Sequence, residues 1–279
     1  MAADAAKSGQ VKFGDLTVNR LGFGGMRITG EGIWGEPKDH DESIRVLKRA
    51  AELGVNFFDT ADAYGPEVSE NLIKEALYPY EGLVIATKGG LTRGGPGQWT
   101  PDGRPEHLRE ALEGSLKRLG VDVIDLYQFH RPDPKVPFED SVQALIDLKK
   151  DGKIKQIGLS NVSLDQLKRA REMTDIVSVQ NRYNATDTGS EDVLEYCTEH
   201  QIAFIPYFPI GGNGADLASL ESVAAKHQSD VRQIALAWLL AKSPVMLPIP
   251  GTSSVKHLES NIAAVDITLD EDDLAQLSS

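Results

Sequence analysis

The chain has 279 residues, 41% of them hydrophobic and 25% charged, which is enough apolar material for a sizeable core and excludes a fibre or a disordered segment. With 42 acidic residues against 29 Lys and Arg the formal charge is −13, so no counterion-releasing surface for nucleic acid is expected. The opening MAADAAKSGQ lacks the apolar run of a signal peptide, and the longest apolar stretch, around IALAWLLA, is far below the roughly 20 residues that span a bilayer, so a cytoplasmic protein without membrane partners is expected.

Near the start, VKF and LTV flank Gly14-Asp15 and predict a small hairpin. Beyond it, short apolar runs alternate with helix-length amphipathic segments. The runs are LGFG at 21–24, VNFFD at 55–59, LVIAT at 83–87, VIDLYQF at 123–129, IKQIGLS at 154–160, IVSVQ at 176–180, AFIPY at 203–207 and VMLPI at 245–249. Between them, DESIRVLKRAAELG sets Ile44, Leu47, Ala50 and Ala51 on one face and stops at Gly54. PEHLREALEGSLKRLG opens with Pro105 and stops at Gly120. The single cysteine, Cys197, lies in a helical stretch, cannot form an intrachain disulfide, and reads as a packing residue in a reducing compartment.

Eight such units without a composition shift predict one α/β domain over 1–279. The fold expected is a single (β/α)8 TIM barrel with an N-terminal β-hairpin and a C-terminal tail over the pocket. The competing doubly wound sheet has one signal, LGFGGM at 21–26. Gly22 and Gly24 are spaced as G-x-G, but Arg27 holds the third glycine position and the next helix begins only near Asp41. Those glycines read as a tight turn or as a close cofactor approach.

In such a barrel, chemistry gathers where strands end. FFDTADAYG supplies Asp59 and Tyr64, IATKGG supplies Lys88, and YQFHRPD supplies His130. Each alone has an ordinary explanation: a turn cap, a solvated lysine, a structural histidine. Together they suggest an acid built from a phenol, its pKa drawn down toward working pH by a lysine that a carboxylate holds. His130 could donate to the same carbonyl oxygen. The six histidines form no H-x-H or HExxH pair, so no metal is expected. A glycosidase would need a partner for Asp59, and Asp133 and Glu67 sit at no clear strand end.

The set Asp59, Tyr64, Lys88 and His130 resembles the catalytic tetrad of the aldo-keto reductases, and the resemblance runs on through KIKQIGLSN, VQNRYN, IPYFPIGG and IPGTSSVKHLESN. It implies a nicotinamide cofactor, with Ser160, Asn161 and Gln180 on the carboxamide and Tyr207 stacked on the ring. It further implies contacts from Gly25 and Met26 at the first strand end, from the glycine-bearing loop at 208–214 (Phe208, Pro209, Ile210, Gly211) on the pyrophosphate, and from Gly251, Thr252, Ser253, Ser254, His257 and Asn261 around the adenosine phosphate. Two departures stand out. His257 and Gly251 replace the arginine and lysine that many relatives carry, leaving Lys256 and neighbouring hydroxyls to compensate, and NADPH is expected over NADH.

Trp34 and Trp99, in glycine-rich loops, are the candidate walls for a small carbonyl substrate. IWGEP, EALYPY, FPIGG and IPGTSSV look closest to a bacterial branch that includes pyridoxal reductases, which implies reduction of pyridoxal to pyridoxine. The alternative is a cofactor-binding regulatory subunit with slow turnover. A monomer is the default expectation.

Overall fold

The computed structural model describes residues 3–211 and 218–277. Strands β1 (Gln10–Phe13) and β2 (Leu16–Asn19) pair antiparallel, turning at Gly14, as the sequence predicts. There follow β3 (Phe23–Gly24), α1 (His40–Glu52), β4 (Phe57–Asp59), α2 (Val68–Leu77) and β5 (Val84–Gly89). A second hairpin, β6 (Leu91–Gly95) and β7 (Gln98–Pro101), occupies the glycine-rich stretch that the sequence suggested was a loop. Next come α3 (Pro105–Leu119), β8 (Ile124–Phe129), α4 (Phe138–Lys150), β9 (Ile154–Ser160), α5 (Leu164–Met173), β10 (Ser178–Gln180), α6 (Glu191–Glu199) and β11 (Ala203–Phe204). Helices α7 (Ala218–Lys226), α8 (Val231–Lys242), α9 (Val255–Ala263) and α10 (Glu271–Leu277) complete the described chain.

Seven strands form one parallel sheet in the order β11-β10-β9-β8-β5-β4-β3. The eighth predicted strand, 245–249, closes it without becoming a regular ladder. Phe204 N–H donates to Val245 O (2.9 Å), Leu247 N–H to Phe204 O (2.8 Å) and Gly22 N–H to Pro248 O (3.0 Å). Pro248 and Pro250 have no N–H to give, which is why the pairing stays fragmentary. At this seam a β-carbon on Gly24 would stand 2.7 Å from Ile249 O, and one on Gly251 would stand 2.5 Å from Gly24 O. The glycine cluster thus serves the close approach of the first strand to the last.

The hairpin β1–β2 plugs the end of the barrel where the strands begin: Val11, Phe13 and Val18 pack with Phe57, Leu126 and Leu247. Outside the sheet the helices lay down their apolar faces. α1 buries Ser43, Val46, Leu47 and Ala50, one step round from the predicted face, so Ile44 and Ala51 are only half-buried. Truncating a fully buried Leu47 to Ala would cost about 2–5 kcal/mol. α3 begins at Pro105 and ends on Gly120 in the left-handed region (φ 73°), as predicted. Cys197 is fully buried on α6, and burial pushes its thiol up to about 12.

The C-terminal segment departs from expectation. Asp273 of α10 accepts from Lys226 Nζ (2.7 Å) and His227 Nε2 (2.8 Å), which fastens α10 onto α7 and its following turn, and no residue of α10 lines the pocket.

Candidate active site

The parallel register brings the four strand-end residues together. Asp59 ends β4 and lies opposite Ala86, two residues before Lys88 on β5, while His130 directly follows β8. Lys88 is fully buried, and its ammonium donates to Asp59 Oδ2 (2.6 Å), to the Thr60 carbonyl (2.9 Å) and to Tyr64 OH (3.2 Å). The other Asp59 oxygen accepts from Gln128 Nε2 (2.9 Å) and Gln180 Nε2 (2.8 Å). A buried ion pair is tolerable only when its remaining lone pairs and protons are satisfied, and these two amides do that. The Tyr64 and His130 rings meet edge to face, centroids 5.8 Å apart.

Burial works against the Lys88 ammonium, yet Asp59 and Tyr64 outweigh it and hold its pKa above the ordinary value. For Tyr64 the balance falls the other way. Burial raises the phenol more than Lys88 lowers it, so its pKa stands above 10.0 and is not drawn toward neutrality as the sequence suggested. Tyr64 is accordingly a proton-bearing phenol at working pH. Burial, helped by Lys88, Arg131 and Arg93, drops His130 well below its usual range and leaves a neutral imidazole. Its Nδ1 is buried with no partner among the described residues.

Over this cluster opens a cavity of about 340 Å³. Met26, Ser160, Asn161, Gln180, Tyr207 and Phe208 line it together with Tyr64 and His130. Asn161, in the left-handed region at φ 59°, donates to His130 O (3.0 Å) and Ser160 Oγ (3.0 Å) and accepts from Tyr207 OH (2.8 Å). One amide thereby fixes the serine, the histidine backbone and the aromatic ring relative to one another.

A second cleft, about 560 Å³, is lined by Ile210, Gly251, Thr252, Ser253, His257 and Asn261 from the predicted set. Sequence reading missed Arg27 and Arg232, which line it beside Lys256. Four expected residues stand outside both spaces: Gly25, packed so tightly that a β-carbon would meet Ser69 Oγ at 2.6 Å, Pro209, Gly211 and Ser254. Residues 212–214 of the predicted pyrophosphate loop lie outside the described residues. At the start of α9, Val255 N–H donates to Glu42 Oε1 (3.0 Å) and the N-cap Ser254 N–H to Thr252 Oγ1 (3.2 Å). The cleft presents the cations Arg27, Arg232 and Lys256, the hydroxyls of Thr252, Ser253 and Ser260, and the Asp230 carboxylate.

Trp99, on β7, faces the cavity and stands edge-on to Tyr64 and to His130, each at 6.4 Å. Trp34 does not line it; its neighbour Ile33 does, and the Trp34 ring lies 5.6 Å from the Arg93 guanidinium. A backbone bridge joins Trp34 to Gly65. Of the glycosidase candidates, Asp133 accepts from the backbone of Gly103 and Lys135, and Glu67 from Arg118. Among the described residues no cluster of His, Cys, Asp and Glu could hold a metal, and no helix is long and apolar enough to cross a membrane. Gln128 was legible in principle, because it alternates with His130 along β8 and must point to the same interior face.

A parallel barrel with these four groups at one rim is shared by a large group of carbonyl-reducing enzymes, and residues 20–279 match the aldo/keto reductase family, to which this chain belongs. It is an oxidoreductase of that family. It is 52% identical over 278 residues to an uncharacterized oxidoreductase of Schizosaccharomyces pombe, covering 99% of this chain and 91% of that protein. It is 42% identical over 272 residues to the pyridoxine 4-dehydrogenase of Escherichia coli, covering 95% of each. Among solved structures it resembles the glycerol dehydrogenase of Gluconobacter oxydans (TM-score 0.86, 27% identity, covering 97% of this chain and 94% of that one). It also resembles an aldo-keto reductase of Klebsiella pneumoniae in complex with NADPH (TM-score 0.80, 25% identity, 99% and 94%).

Proposed function

We propose that this chain uses NADPH to reduce an aldehyde to an alcohol, with pyridoxal the first substrate to try and Tyr64 the proton donor. The observation that carries the reading is the buried Lys88 held between Asp59 and the Tyr64 hydroxyl. Tyr64 keeps its proton at neutral pH and gives it to the carbonyl oxygen as negative charge develops there. The adjacent ammonium steadies the phenolate left behind, and Asp59 keeps that ammonium charged and aimed. His130, neutral, has one ring N–H to donate to the same oxygen, which orients the carbonyl and shares its charge.

The residues present fit a nicotinamide dinucleotide. Ser160, Asn161 and Gln180 offer an amide-reading set beside Tyr207 in one cavity. Arg27, Arg232 and Lys256 gather beside Asp230 in the other cleft, three cations to one carboxylate, where phosphate charge would be compensated. When bound, the nicotinamide supplies the hydride. The cationic side chains favour the extra phosphate of NADPH even though Gly251 brings no charge. The pyridoxal reading draws on the 42% identity to a pyridoxine 4-dehydrogenase.

The test follows loss of reduced-nicotinamide absorbance with NADPH or NADH and a panel of pyridoxal, an aromatic aldehyde and a ketone. Rapid NADPH oxidation selective for pyridoxal is the expected result. Oxidation no faster with pyridoxal than with generic aldehydes would discard that substrate and keep the reductase, and equal or better efficiency with NADH would overturn the cofactor preference. Cofactor binding with no oxidation of any carbonyl would move the chain to the regulatory reading.

A further inference from the structure

The chain is strongly acidic, yet the described lining of the 340 Å³ cavity contains no Asp or Glu and two arginines, Arg131 and Arg182. Arg182 is held by Asp187, Nε to Oδ2 2.8 Å, and lies 6.0 Å from the Phe208 ring. Arg131 is exposed and has no ion-pair partner among the described residues. It directly follows His130, whose carbonyl is tied to Asn161, so its backbone is fixed beside the reacting centre. Its charge is felt by both the His130 ring and the Tyr207 hydroxyl, on two sides of the cavity. A third cation, Arg93, lies behind the Trp99 ring with its guanidinium spent on backbone carbonyls, so it adds field without offering contact.

We propose that the carbonyl substrate carries a second, anionic group, a carboxylate or a phosphate, which Arg131 binds at the cavity mouth with Arg182 beside it. The inference rests on the reductase reading of the same site and not on pyridoxal, which carries neither group and should rank below an anionic aldehyde of similar size. An uncompensated guanidinium next to the reacting carbon pairs with a planar oxyanion in two parallel charge-assisted hydrogen bonds. It repels an aldehyde bearing an amine. Because Arg131 is solvated, the preference should be at most about fivefold rather than thousands.

The experiment compares kcat/KM at saturating reduced cofactor for two matched pairs. One is 4-carboxybenzaldehyde against its methyl ester, the other 4-formylphenyl phosphate against its dimethyl ester. The expected result is a roughly fivefold preference for the charged member, carried by KM and shrinking as NaCl is raised; the pair with the larger ratio identifies the group. Arg131→Met should bring the ratio within about twofold of unity. Arg109→Met, which removes an exposed charge paired with Asp147, should leave the ratio at the wild-type value. Esters reduced as well as the anions, an Arg131→Met variant that slows both members equally, or one that weakens only cofactor binding would each overturn the inference while sparing the reductase. If neither charged nor neutral aldehydes were reduced, the reductase reading would fall and the inference with it.

Discussion

The Arg93 guanidinium lies 3.6 Å from the centroid of the Trp99 ring. From there it donates to the carbonyls of Ile33 and Ala63 (2.8 Å each), Gln98 (3.0 Å) and Gly32 (3.1 Å), so one side chain ties together the loop after β3, the turn after β4 and the β6–β7 hairpin. Trp99 is thereby held against both Tyr64 and His130. A stacking contact of this kind is worth about 0.5–2 kcal/mol, so Arg93→Met should raise KM for aromatic aldehydes about 2- to 30-fold with a smaller change in kcat. Arg93→Lys should not rescue it, because an ammonium cannot reach several carbonyls while lying flat on an indole. A loss confined to kcat would show that Trp99 needs no such support.

Tyr64→Phe removes one hydroxyl and leaves the cavity shape intact. The chemical step should fall by at least about 10²-fold while reduced-cofactor affinity, read from fluorescence titration, stays near wild type. Wild-type turnover in this variant would remove Tyr64 from the proposed role.

Lys88→Met leaves the Asp59 carboxylate buried with only two amide donors. Removing one member of a buried pair costs about 3–5 kcal/mol, so the urea midpoint should drop steeply. Lys88→Met combined with Asp59→Asn should recover much of that stability and none of the activity. Equal midpoints for the single and double variants would mean that losing the lysine leaves no such penalty at Asp59.

Asp62 lies between the two tetrad members on the β4 side, its Oδ1 shut from solvent without a partner among the described residues. Burial, with Glu70 nearby, pushes its pKa up to about 8 from 3.8. The native state therefore keeps a proton that the unfolded chain releases, and its contribution to stability is full below about pH 4 and lost as pH rises toward about 8. Asp62→Asn cannot titrate, so its urea midpoint should fall less than the wild-type one between pH 5 and pH 8. Parallel pH dependence would mean that native Asp62 is ionised.

How much of this was legible beforehand follows from what each feature depends on. The alternation of apolar runs depends on local burial, and it located every strand of the parallel sheet. The tetrad was readable because strand ends are set by the same pattern and each member falls within a few residues of one. Arg93, Arg131 and Arg182 were not, since a lone arginine in a polar segment has no periodicity that tells stacking from solvation. The β6–β7 hairpin was hidden by its own glycines, which read as looseness while they in fact turn a paired ribbon. The sign of the Tyr64 shift depended on a competition between desolvation and one ammonium, and only the burial around both decides it.

The seam between Gly22 and Pro248 also orders events during synthesis. Its hydrogen bond joins positions near opposite ends of the chain, so β3 keeps an open edge until almost the whole polypeptide has left the ribosome. The cleft lined by Arg27 from the beginning and by Gly251 to Asn261 from the end straddles that seam. A nascent chain stopped short of the last two helices would have all four members of the tetrad and no cleft beside it. The surface proposed to hold the cofactor's phosphates is therefore among the last parts of the described chain to form, and its ligand would report that the barrel has closed.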